Sequence, residues 1–99
     1  MDYWWEWTTC NIGTGTVAKV YNQIATDPVY GLPALGYTDI KVGSDVHGWK
    51  GKVIVAAVLL PISGSNYWLI VSCAGDTADA KSNANGLMGQ IKIILNDYF

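Results

Sequence analysis

From Lys52 to Ala74 the chain reads KVIVAAVLLPISGSNYWLIVSCA, and this stretch leaves the fold few options. Two apolar runs, Val53–Leu60 and Tyr67–Cys73, flank Pro61-Ile62-Ser63-Gly64-Ser65-Asn66. Both runs are rich in β-branched or aromatic residues, and the segment between them carries turn residues. The stretch therefore predicts a β-hairpin at the centre of a sheet. Val53–Leu60 is apolar at every position. A strand wetted on one face alternates, so this one is expected to be covered on both.

The flanking segments supply the rest. Tyr3–Thr9, YWWEWTT, predicts a strand with Tyr3, Trp5 and Trp7 on one side and Trp4, Glu6 and Thr8 on the other. A helix is expected near Thr16–Thr26, because Val17, Val20, Tyr21, Ile24 and Ala25 share one face. Thr14 or Thr16 serves as its N-cap, and Asp27-Pro28 ends it. Pro28–Asp39 reads as a loop that carries enough apolar residues to pack on the body. Asp39–Val46 alternates as a half-exposed strand, and His47–Gly51 reads as the turn into the hairpin. Asp76-Thr77-Ala78-Asp79 resembles a capping box that opens a helix to the C-terminus, with Ala80, Ala84, Leu87, Ile91, Ile94 and Tyr98 as its apolar stripe.

The resulting order is β-α-β-β-β-α. It predicts one α+β domain over residues 1–99, a two-layer sandwich with a four-stranded, mostly antiparallel sheet and both helices on one face. With four strands, the first and last run parallel and sit most simply as neighbours, joined in a right-handed sense. Cys10 and Cys73 are then close together, reduced, at one end of the sheet.

Composition excludes several functions. Among 99 residues there are six lysines and no arginine, and the net charge is −2. The lysines are scattered, apart from Lys50 and Lys52. A nucleic-acid surface concentrates base and uses arginine for bidentate contacts, so no nucleic-acid partner is expected. No apolar run approaches the ~20 residues of a membrane span, and no basic-then-apolar leader is visible, so neither membrane nor export is expected and the cytoplasm is the expected compartment. Two cysteines without CxxC spacing and one histidine supply neither a disulfide framework nor a metal site. No cofactor is expected.

Three groups of residues could carry chemistry. Gly13-Thr14-Gly15-Thr16-Val17-Ala18 matches a GxGxxG/A turn between strand and helix. A Trp-rich strand and the absence of further βαβ units argue against a dinucleotide, which leaves an anion-binding corner at Gly13, Thr14, Gly15 and Thr16. Cys10, Asp45, His47 and Cys73 all fall at the same expected sheet end, near both helix N-termini. A thiol there, with His47 as base, would make a minimal hydrolase or transferase site. No third orienting group is evident, and the simpler reading is two buried thiols and a solvated histidine, so the enzyme reading is the weaker one.

The third group is aromatic. Five Trp and six Tyr are a heavy load for so short a chain. Two helices cover one sheet face only, so the other receives either the Trp5 and Trp7 set or the Trp4 and Trp68 set, and something must cover it. The leading expectation is a small homo-oligomeric interaction domain that dimerises through this helix-free face. The alternative is a binder of sugars or planar molecules, with Trp5, Trp7, Tyr30, Tyr37, Trp49 and Trp68 lining a pocket under the 28–39 loop.

Overall fold

The structure, a computed structural model, describes residues Met1–Phe99. Its elements run β1 (Asp2–Asn11), α1 (Val17–Thr26), β2 (Thr38–Val42), β3 (Val46–Lys50), β4 (Val53–Ser63), β5 (Asn66–Gly75) and α2 (Ala80–Tyr98). The architecture is α+β, with the central hairpin β4–β5 where the sequence places it. The sheet, however, has five strands in the order β1-β5-β4-β3-β2, and every neighbouring pair is antiparallel.

The extra strand is β3. The reversal falls at Gly43-Ser44-Asp45, where the Gly43 N–H donates to the Asp45 carbonyl at 2.9 Å, and His47–Lys50 continue as strand rather than turn. Gly48 is a packing residue there. A Cβ at that position would meet Ile40 Cγ1 and Tyr37 Cβ at 3.2 Å, so glycine lets that layer close down on the strand. One additional reversal changes the direction of everything after it. β1 and β5 are therefore neighbours but antiparallel, which corrects the four-stranded sheet whose first and last strands ran parallel.

Both helices lie on one face, where the core forms. Val46, Val55, Ala57, Leu59, Leu69, Val71 and Cys73 project from that face into the same buried cluster as Val20, Tyr21 and Ile24 of α1 and Ala80, Ala84, Leu87, Ile91 and Ile94 of α2. The stripe at the end of α2 differs from expectation: Leu95 is buried and Tyr98 is exposed. α1 begins as read, with the Thr16 hydroxyl accepting the Lys19 N–H at 3.2 Å. α2 begins later than expected, at Ala80 after Asp79, because Asp76 N–H is drawn to the Lys52 carbonyl and Thr77 N–H to Gly75. No helix is long and apolar enough to cross a membrane.

Candidate functional site

Residues paired directly across an antiparallel ladder share a face, so the register lays out the helix-free surface. One row runs Tyr3, Ala74, Ile54, Trp49, and the next Trp5, Ser72, Ala56, His47, Lys41. Two more run Trp7, Ile70, Val58 and Thr9, Trp68, Leu60. Trp68 thus joins Trp5 and Trp7. Trp4 stands alone on the helix side, where its indole N–H donates to Glu6 at 3.1 Å and Lys81 Nζ lies 5.0 Å from its ring.

The surface has relief. A stretch with the small residues Ser72, Ala74 and Ala56, and Ile54 among them, lies between Trp5 and Tyr3 on β1 and His47 and Trp49 on β3, which stand three strand spacings, or ~14 Å, apart. Beside it Trp7 and Trp68 meet edge to face, with centroids 5.1 Å apart and planes at 77°. With Leu60 and Ile70 they line an apolar depression of about 270 Å³. Trp5 and Trp7 are 57% and 56% exposed, so no part of the chain covers them.

The 28–39 loop goes to the other side. Asp27 fixes its start by accepting the Val29 and Tyr30 N–H groups at 2.9 and 2.8 Å. Leu32 N–H then donates to Ile24 and Tyr37 N–H to Leu32, and both side chains are buried. Lys50 Nζ sits 4.6 Å from the Tyr37 ring centroid, and burial raises the Tyr37 pKa. Tyr30 and Tyr37 therefore pack with the helix-side core, separated by the sheet from Trp5, Trp7, Trp49 and Trp68. The aromatic pocket expected under this loop does not form.

The thiols and the imidazole are separated in the same way. Cys10 pairs with Tyr67 and Cys73 with Trp4, which puts the thiols at opposite ends of the sheet, both on the helix face. Burial raises both of their pKa values, and Cys73 accepts a weak contact from Asn83 Nδ2 at 3.7 Å. His47 is on the open face, with Nδ1 2.9 Å from Asp45 Oδ1. No Cys-His pair exists, and the expected proximity of the two cysteines is corrected. The Asp45-x-His47 pairing was not foreseen; its sequence signal is an i, i+2 spacing at the start of a strand.

The Gly13–Thr16 corner is occupied by packing. Gly13, at φ 59°, gives its N–H to Asn11 Oδ1 at 2.7 Å, and Gly15 gives its N–H to the Ile12 carbonyl at 3.0 Å. A Cβ at Gly13 would collide with the Phe99 backbone, and one at Gly15 with the Phe99 ring. These glycines admit the end of the chain rather than present a cradle of free donors. No group of three His, Cys, Asp or Glu side chains is brought together to hold a metal. An open groove of about 440 Å³ that the sequence did not announce lies on the helix side, lined by Cys10, Asn11, Lys92, Leu95, Asn96 and Phe99.

The chain matches no protein-family model and no curated protein sequence.

Proposed function

We propose that this chain is a homo-oligomeric interaction domain whose binding surface is the helix-free sheet face, covered by the same face of a second copy. The observation that carries it is a largely apolar sheet face, with Trp5, Trp7, Trp49, Leu60 and Trp68 exposed, that no segment of its own chain covers. Contiguous aromatic surface of this kind is uncommon on a protein that works alone, and Trp and Tyr are enriched at interface cores. A two-fold contact hides both patches together because it is self-complementary. Burying ~800 Å² per subunit at ~25 cal/mol per Å² is a large driving force, offset in part by association entropy. The free thiols at Cys10 and Cys73 fit a reducing compartment, the cytoplasm. Sedimentation at micromolar concentration tests the reading. The expected result is an oligomer whose mass falls when Val58, in the middle of the face, is changed to Lys, with the circular dichroism spectrum retained. A wild-type monomer would overturn it.

The second reading is favoured by one observation, the apolar depression at Trp7, Leu60, Trp68 and Ile70. A sugar ring or planar molecule would stack there on an indole face. Saturable change in tryptophan fluorescence on titrating an oligosaccharide, abolished by Trp68→Ala, is its test.

A further inference from the structure

Every strand of this sheet but two is paired on both sides, and the two edges are built differently. β2 is the guarded edge: five residues, an interrupted register between Thr38 and Lys41, Asp39 at φ 51°, and a lysine. Short length, irregularity and charge are the usual devices that keep an edge from recruiting another strand. β1 is neither short nor irregular, and its only charged residues are Asp2 and Glu6. It extends over ten residues in unbroken register with β5 and contains no lysine, proline or bulge.

The direction of its free backbone groups follows from the ladder. Ile12 N–H donates to the Ser65 carbonyl at 2.9 Å, one step beyond the Asn11–Asn66 pair. Hydrogen-bonded pairs alternate along an antiparallel ladder, so Cys10, Thr8, Glu6 and Trp4 also turn their backbone groups toward β5. Tyr3, Trp5, Trp7, Thr9 and Asn11 turn theirs outward. Of these, Tyr3 N–H is taken by the Asp2 carboxylate, and the Thr9 carbonyl accepts the Thr8 hydroxyl at 3.3 Å. The rest of the row is open.

We propose that β1 pairs antiparallel with β1 of a second copy, about a two-fold axis at Trp7, and joins two sheets edge to edge. This contact goes beyond the face contact proposed above, since it uses the backbone edge of β1 where the other uses side chains. Three observations choose the occupant and the register. First, centring on Trp7 matches outward groups with outward groups over the whole strand: Trp7 with Trp7, Trp5 with Thr9, Tyr3 with Asn11. Centring on Glu6 would set two carboxylates directly opposite each other, which is unfavourable; centring on Trp7 sets Glu6 against Thr8.

Second, the Trp7 register places Trp4 of the second copy opposite Cys10 on the helix side. That is where the groove lined by Cys10, Lys92, Leu95 and Phe99 opens, and the two-fold axis sets each copy's Trp4 beside the other's groove. Third, the charges agree. The charged residues of β1, Asp2 and Glu6, are both acidic and lie on the same side of the strand as Trp4, and this register turns those of the second copy toward the end of the strand where the groove carries Lys92.

Sedimentation of two variants separates the edge from the face. Val58→Lys puts charge on the open face, and this variant is expected to remain a dimer joined at β1. Adding Thr9→Pro removes an outward N–H without touching the β1–β5 ladder. The double variant is expected to show half that mass with an unchanged circular dichroism spectrum. A folded Val58→Lys monomer would overturn the edge contact and leave the face reading standing. A Val58→Lys protein with the full wild-type mass would support the edge and sink the face.

Should Val58→Lys unfold, one cysteine added at a time in a Cys10→Ser background decides, since the remaining Cys73 is buried on the helix side. Residues facing each other in a hydrogen-bonded pair lie ~5.5 Å apart at Cα, within disulfide reach. Trp7→Cys is expected to cross-link two copies under mild oxidation, and Tyr3→Cys is not. Equal cross-linking at both positions, or at neither, overturns the proposal.

Discussion

The hydroxyl of Tyr21 accepts the Leu59 N–H at 2.8 Å and donates to the Ser44 carbonyl at 3.2 Å. The β3–β4 pairing starts at Val46–Ala57, so Leu59 lies where β4 has no β3 neighbour, and a phenol on α1 takes the place of the missing strand. Tyr21→Phe strands a buried donor. It is expected to lower stability by ~1–3 kcal/mol, read as a drop in the urea midpoint at constant slope. A change within the error of the measurement would mean that the Leu59 N–H finds another partner.

Asp27 predicts the acid behaviour. Tyr30 and Val29 N–H groups, then Gln23 and Tyr98, hold its carboxyl at about 2 against an ordinary 3.8. A carboxyl depressed in the folded state stabilises it above the unfolded value, and that contribution is lost as pH falls through the folded one. Melting temperature should therefore fall between about pH 4 and pH 2. Asp27→Asn, which still accepts the two N–H groups but does not titrate, should flatten that step.

The same substitution should act with opposite signs at two glycines. Gly86 sits within α2, exposed, with open space where a Cβ would go. Gly86→Ala is expected to add ~0.8–1 kcal/mol through helix propensity. At Gly48 the added methyl meets Tyr37 and Ile40, and Gly48→Ala is expected to lose ~1–3 kcal/mol by overpacking. Urea unfolding of both variants checks the pair; equal signs would show that the closeness at Gly48 is slack.

Neither thiol should behave as a nucleophile. Burial raises the pKa of both, and Cys73 is fully enclosed. At pH 7 a disulfide reagent should modify Cys73 only as fast as the protein opens, while the half-buried Cys10 reacts more readily. No intramolecular disulfide should form on mild oxidation, because the two residues sit at opposite ends of β1–β5. Rapid modification of Cys73 in the folded protein would contradict the packing around Asn83.

Much of the fold was legible. The β4–β5 hairpin followed from two β-rich runs about a turn segment. The α1 stripe at Val17, Val20, Tyr21, Ile24 and Ala25 and most of the α2 stripe followed from helical spacing; Val17 is half-buried against the core and the others are buried. That one sheet face would be left without a helix followed from counting apolar stripes against strands. Each inference uses a period that repeats within a single element, a property that neighbouring residues settle among themselves.

The site was less legible. Gly48, read locally, is a turn residue; only the approach of Tyr37 and Ile40 from elsewhere in the chain makes it a strand residue. That one reversal decided that β1 and β5 are antiparallel, that Cys10 and Cys73 are far apart, and that His47 faces away from both. The side taken by the 28–39 loop hung on Asp27 and Leu32, whose partners are fixed by where α1 packs. Sequence determined which residues form helices and hairpin and which stripe each helix buries. Tertiary structure decided which strands are neighbours, which Trp residues share a face and which edge stays open, because strand pairing is a long-range choice and a period of two shows only that a strand has two sides.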